Sequence, residues 1–241
     1  MKTKLRFLTL CAILGAATSA NAAVTYTVDP GATWLGYMNV SNVGGAGYGI
    51  GAAGAPVFGS GWGTPDLRAT FAGPTLSLQS NTIGDPNPFW YDPSGGPGAL
   101  GNKIMDASFY QQFDITLAGQ NVTFTGNVLS NNLATGPAGP VDAGGRGWTS
   151  KAFIKDFAPD YSSFVVSEIS LPTSGEFSIS LNTINDPARH VQFGFQTIGP
   201  NVWAGDPLTT NAINVTAIPE PSSLGLLGLG AALLGLRRRQ R

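Results

Sequence analysis

Residues 191–196 read Val-Gln-Phe-Gly-Phe-Gln, and residues 177–181 read Phe-Ser-Ile-Ser-Leu. In both stretches a large apolar side chain alternates with a small or polar one. Side chains of a strand point alternately to its two faces, so this period of two means one buried face and one wet face, the mark of antiparallel sheet. Val122, Phe124, Gly126 and Val128 repeat the pattern after the Gly119-Gln120-Asn121 turn. Working outward, the same reading predicts strands near 24–28, 33–40, 67–71, 74–79, 103–109, 111–117, 150–157, 162–169 and 211–217. No window between the two chain ends has the three-to-four spacing of an amphipathic helix. Short strands separated by Gly, Pro and Asn turns predict an all-β chain, an antiparallel β-sandwich of the jelly-roll kind.

The two ends follow other rules. Met1 to Ala22 has a basic start (Lys2, Lys4, Arg6), an apolar middle from Phe7 to Ala17, and a small-x-small site at Ala20-Asn21-Ala22. This is the pattern of a signal helix that the Sec translocon takes up and that is then cleaved. At the other end Ile218-Pro219-Glu220-Pro221 precedes an uncharged stretch, Ser222 to Leu236, and then Arg237-Arg238-Arg239-Gln240-Arg241. The prolines break any regular element. The uncharged stretch reaches roughly 22 Å as a helix, short of the roughly 30 Å of bilayer hydrocarbon, a gap that snorkelling arginines and local thinning bridge. The expected division is a signal peptide at 1–22, a β-sandwich domain at 23–217 and a sorting segment with one membrane-spanning helix at 218–241.

That C-terminal order of break, apolar helix and arginine cluster resembles the PEP-CTERM sorting signal of Gram-negative bacteria that make extracellular polysaccharide. The resemblance implies a partner, an exosortase-type protease of the inner membrane. It would recognise Pro219, Glu220 and Pro221 with Arg237, Arg238 and Arg239 and cut near the Pro-Glu-Pro. It also implies a route: an exported protein, first anchored in the inner membrane and then placed at the cell surface or in the extracellular matrix.

Composition narrows what the body does. Cys11 is the only cysteine and lies in the signal peptide, so the exported domain has no disulfide and no thiolate site. Between residues 23 and 218 thirteen acids face six bases, a net charge of −7. Nucleic-acid binding rests on neutralising phosphates and is excluded, whereas calcium is compatible. Asp85, Asp92 and Asp206, each in a turn, are the candidates for a structural calcium, although no Asp-x-Asp-x-Asp spacing occurs. No cofactor is expected.

Catalysis has little support. His190 is the only histidine and opens a strand pattern, no Gly-x-Ser-x-Gly elbow is present, and one histidine excludes a multi-histidine zinc site. Gly49-Ile50-Gly51-Ala52-Ala53-Gly54 matches the dinucleotide-binding glycine pattern but sits in a glycine-rich loop, without the strand before and helix after that the motif needs. Glu168 and Glu176 are the only glutamates of the body, a thin supply for a carboxyl pair. The expectation is that the protein is not an enzyme.

Binding is better supported. The long loops 44–63, 84–101 and 136–147 are rich in glycine, and 84–101 adds four prolines around Phe89-Trp90-Tyr91. Prolines at that density stiffen a loop, and a stiff aromatic loop presents a ring at low entropic cost. Trp90 and Tyr91 are therefore the first candidates for stacking on a sugar ring and Trp62 the second. The bland alternative for each is a core plug. Gly61-Trp62-Gly63-Thr64-Pro65-Asp66-Leu67, with Ala188-Arg189-His190-Val191-Gln192-Phe193-Gly194-Phe195, is similar to the bodies of other PEP-CTERM proteins built as jelly rolls, and in style to carbohydrate-binding modules. The expected function is contact with extracellular polysaccharide. The alternatives are a purely structural or adhesive surface protein with no sugar site and, third, a glycan-active enzyme.

Overall fold

A computed structural model describes residues 23–44, 53–134, 141–142 and 144–218. The chain is all-β. In chain order the strands are β1 (Val24–Thr27), β2 (Leu35–Val43), β3 (Ala53–Gly61), β4 (Ala69–Ala72), β5 (Thr75–Gln79), β6 (Thr82–Ile83), β7 (Tyr91–Asp92) and β8 (Leu100–Gly101). They continue with β9 (Lys103–Asp114), β10 (Asn121–Asn131), β11 (Thr149–Phe157), β12 (Phe164–Ser170), β13 (Gly175–Asn182), β14 (His190–Pro200), β15 (Val202–Trp203) and β16 (Ala212–Thr216). One 3-10 turn, Pro207–Thr210, precedes β16. Among the described residues no helix is long and apolar enough to cross a membrane. The expected signal helix and C-terminal helix lie outside the described residues.

Two six-stranded sheets carry the fold. The first is built on β10, which pairs β13 on one edge and, on the other, β1 in parallel and then β16, followed by β5 and β4. The second runs β12-β11-β14-β9-β2-β3, antiparallel throughout, and curls. The alternation that opened the sequence reading sets the core. Phe124 and Phe177 from the first sheet meet Phe193 and Phe195 from the second, with ring centroids 5.2 Å apart for Phe124–Phe193, 5.3 Å for Phe124–Phe195 and 5.9 Å for Phe177–Phe195. Phe124, Phe193 and Phe195 are completely buried. Burying an aromatic side chain stabilises the fold by about 1.5–3 kcal/mol, so this cluster is a large share of what joins the two sheets.

Three expectations need correction. The segments 103–109 and 111–117 are not two strands: β9 runs unbroken to Asp114, because its register with β14 passes straight through Tyr110 and Gln111. Chain direction changes only afterwards, where Ile115 adopts a positive φ of 69°. The stretch 44–63 is not all loop, since β3 pairs with β2 from Ala53 to Gly61. Its Gly, Ala and Pro residues have low strand propensity, but an edge strand must satisfy only one neighbour, and Pro56 sits beside the register shifts. The loop 84–101 contains a small ladder, Tyr91 with Gly101 and Asp92 with Leu100.

Candidate functional site

The outward face of β14 carries Gln192, Gly194 and Gln196, the polar half of the same alternation. In register beside it stand Gln112, Tyr110 and Ser108 of β9, and beyond Ser108 stands Tyr37 of β2. On the other side stand Lys155, Phe153 and Lys151 of β11. A flat outer sheet face would leave these groups in water. Here Tyr110, Ser108 and Gln192 are buried, because the curl folds the sheet around them. The result is a groove of about 680 Å³ lined from β2, β9, β11, β12, β14 and the connection after β11.

Its polar groups form an amide ladder of two hydrogen-bonded sets. Gln196 Nε2 donates to Asp106 Oδ1 at 2.7 Å, and Gln192 Nε2 donates to Gln112 Oε1 at 2.8 Å. Gln112 Nε2 in turn reaches Asp114 Oδ1 at 3.0 Å and the Tyr161 hydroxyl at 3.1 Å. Its aromatic groups are Tyr37, Tyr110, Phe157, Tyr161 and Phe164. Burial raises the Tyr110 hydroxyl, and Tyr161 and Tyr37 nearby oppose its ionisation further. Tyr161 is held at φ 59° with its ring stacked 4.5 Å from His190. His190 is engaged on both nitrogens, by Asp114 Oδ1 at 2.7 Å and by the Pro159 carbonyl at 3.3 Å. Gly59 opposes Asn39 across the ladder, and a β-carbon there would stand 2.7 Å from Asn39 Oδ1 and 2.9 Å from the Tyr37 hydroxyl. That glycine leaves room for the groove's far wall.

Burial raises the Asp106 carboxyl above its ordinary 3.8; Gln196, Lys155, Lys151 and Asn39 act in the opposite direction. A carboxyl whose folded pKa lies above its unfolded one is a stability cost at neutral pH. The cost develops as pH rises from 3.8 through the folded value. Asp106→Asn is therefore expected to leave thermal stability at pH 7 unchanged or raised, with the gap closing below pH 3.8. Thermal melts of both forms across that range check it, and a clear loss of stability at pH 7 would contradict it.

The residues singled out in the sequence lie elsewhere. Tyr91 is not exposed as expected: it is fully buried, its hydroxyl donating to the carbonyls of Ile83 at 2.5 Å and Val202 at 2.9 Å. Its ring meets Trp203 at 5.4 Å, and Gly95 makes way for that indole, since a β-carbon would stand 2.2 Å from it. Tyr91 thus plugs loop 84–101 onto the body. Tyr91→Phe should cost about 1–3 kcal/mol by removing the hydroxyl that the buried Val202 carbonyl and the part-buried Ile83 carbonyl share, read as a lower urea midpoint at unchanged slope. Trp90 is half-buried, edge-on to Phe89 at 4.7 Å and Phe58 at 6.3 Å. Trp62 is half-buried, donates to Ser60 Oγ at 3.0 Å, and lines a separate cavity of about 560 Å³ with Asp66, Arg68 and Asp85. Trp148 is buried. Neither Trp90 nor Tyr91 lines that cavity, and none of the three lines the groove.

Two of the three acidic turns use their carboxylates on backbone. Asp85 Oδ1 accepts from Asn87 N at 2.9 Å, and Asp206 Oδ1 accepts from Leu208 N at 3.0 Å, capping the 3-10 turn. Asp92 is exposed in the small ladder. Among the described residues no three His, Cys, Asp or Glu side chains gather as a metal site.

Sequence reading missed the groove because its residues come from strands up to 159 positions apart, Tyr37 to Gln196. The one available signal was the outward half of each alternating strand, which is rich in Gln, Tyr and Lys where Ser or Thr would suffice.

Residues 217–239 match a family described as the PEP-CTERM protein-sorting motif. No curated protein and no solved structure matches the chain. The motif makes this an exported protein, sorted through its C-terminal signal, with an exosortase as its processing partner at the membrane. Pro219, Glu220, Pro221 and the arginines Arg237, Arg238 and Arg239 fall inside the matched segment and outside the described residues.

Proposed function

We propose that this exported, exosortase-sorted protein binds extracellular polysaccharide in the groove on the curled sheet, at the cell surface or in the matrix. The observation that carries the reading is the groove's chemistry: aromatic walls and an amide ladder gathered in one concavity. Sugar rings offer apolar C–H faces and a rim of hydroxyls, each of which donates and accepts. Aromatic faces meet the former, and Gln, Asn, Ser and Tyr groups meet the latter. Tyr37, Tyr110 and Tyr161 take the role first assigned to Trp90, Tyr91 and Trp62. The chain passes between the two sheets at β1–β2, β3–β4, β5–β9, β9–β10, β10–β11, β12–β13, β13–β14 and β14–β16. This back-and-forth course supports reading the body as a jelly-roll-like sandwich.

The site is one of binding rather than catalysis. Asp106 is the only carboxylate among the groove-lining residues, and glycoside hydrolysis uses two. A structural calcium is not needed to hold the groove, whose polar groups bond one another.

A second reading, an adhesive surface component, draws on β12. It is an unpaired edge with Phe164, Val165, Val166 and Ile169 all exposed, the kind of edge that recruits other chains.

The test is affinity electrophoresis of the full chain in detergent through gels containing the producing cell's polysaccharide. Tyr37 is 37% exposed, so Tyr37→Ala should leave the melting temperature close to wild type. Its retardation should fall as for an affinity loss of about five- to 150-fold, 1–3 kcal/mol. Trp90→Ala should do the reverse, lowering stability and sparing retardation. Retardation unchanged in Tyr37→Ala would remove the groove as the site.

A further inference from the structure

Charged groups beside the groove have partners within the protein. Lys151 Nζ bonds Glu168 Oε1 at 2.6 Å, and His190 bonds Asp114 at 2.7 Å. Two charged groups remain on the lining, Asp106 and Lys155, and each acts on the other through space. The Lys155 ammonium is 4.3 Å from the centroid of Phe153 and 5.6 Å from that of Phe164, two ring faces that offset a cation. Phe153 is completely buried on the groove side of β11, so the lysine stem lies on a fixed surface. Among the described residues no carboxylate lies within 4 Å of this ammonium. It therefore keeps its N–H groups for a ligand, while the Asp106 carboxylate, partly buried, has lone pairs beyond those that Gln196 and Asn39 engage.

We infer that the groove selects an uncharged glycan, with sugar hydroxyls set between the Asp106 carboxylate and the Lys155 ammonium. This rests on the reading of the groove as a polysaccharide site. A hydroxyl donates to a carboxylate and accepts from an ammonium, so neighbouring hydroxyls on one ring satisfy both groups without bringing a charge. A polyuronate brings an anion at every residue. It would place one beside Asp106, in a domain of net charge −7 between residues 23 and 218, and Lys155, already offset by two rings, would compensate for only one of them. A polyglucosamine gains from the domain's overall charge but sets an ammonium against Lys155 in a half-enclosed groove, where like charges are not screened as they are in water.

The experiment is calorimetric titration of the full chain in detergent with three probes of matched length: a neutral glucan hexamer, an oligogalacturonate and a glucosamine oligomer. Each is run at low and high salt. The glucan should bind, with an affinity that changes less than about twofold on adding salt, since screening acts on charged partners. The oligogalacturonate should bind at least roughly tenfold more weakly at low salt. Lys155→Met, which keeps the stem over Phe153, and Asp106→Asn should each weaken the glucan by about tenfold, with melting temperatures kept. Tighter binding of either charged probe, or glucan binding indifferent to both substitutions, would overturn the inference while leaving the polysaccharide reading standing. Binding of none of the three, with the producing cell's own polysaccharide also unbound, removes the reading and the inference with it.

Discussion

Asp156→Ala should lower stability by about 3–5 kcal/mol, the cost of removing one partner from a buried ion pair. Asp156 is completely inaccessible, and its carboxylate serves two elements at once. Oδ1 accepts from Arg189 Nε at 2.8 Å, and Oδ2 accepts from the backbone N–H of Ile184 at 2.7 Å. The Asp156 carbonyl also accepts from Arg189 Nη2 at 2.7 Å. These bonds clamp the connection between β13 and β14 onto β11, and β14 supplies the centre of both core and groove. Alanine leaves a guanidinium with only 13% side-chain exposure without its carboxylate, and an amide without its acceptor. At a few degrees per kcal/mol for a domain of this size, the melting temperature should fall by roughly 6–20 °C. Asp156→Asn keeps an acceptor and the shape, and should cost about 1–3 kcal/mol. Urea titrations of the three proteins decide it. An alanine variant within about 0.5 kcal/mol of wild type, the range of ordinary surface substitutions, would mean that the clamp contributes nothing.

The second large effect concerns the tail. Replacing Pro219, Glu220 and Pro221 together by alanine should abolish processing and leave the full-length precursor in the inner membrane. Pro219 and Pro221 lack backbone N–H groups and their rings restrict φ to near −65°, so both residues disfavour helix. Extended backbone is the form in which a protease reads a peptide bond, and alanine, the strongest helix former, would favour helix at these three positions instead. Immunoblots of membrane and extracellular fractions measure the outcome. Cleavage of the alanine variant at the wild-type rate would show that the tail acts as an anchor alone. A triple alanine that stays uncut beside a Glu220→Gln protein that is processed would place the signal in the prolines' geometry rather than in the charge.

The parts of this protein that could be read without a structure are those whose meaning is local. A proline break, an uncharged stretch and an arginine cluster mark sorting, and they fall within the matched residues 217–239. That signal is a run of consecutive residues. The strands were legible for the same reason, since alternation of Phe193 and Phe195 with Gln192 and Gln196 is a property of neighbours in sequence. What the tertiary structure alone decided was which aromatic residues are available. Tyr91 stands in a proline-stiffened loop that looks built for display, yet two carbonyls from β6 and β15 and the indole of Trp203 draw it inside. Tyr37, Tyr110 and Tyr161, unremarked in sequence, meet because the second sheet curls and because β2, β9 and β14 lie side by side in it. Strand order and curvature arise from pairing between distant segments, and no run of neighbouring residues records them.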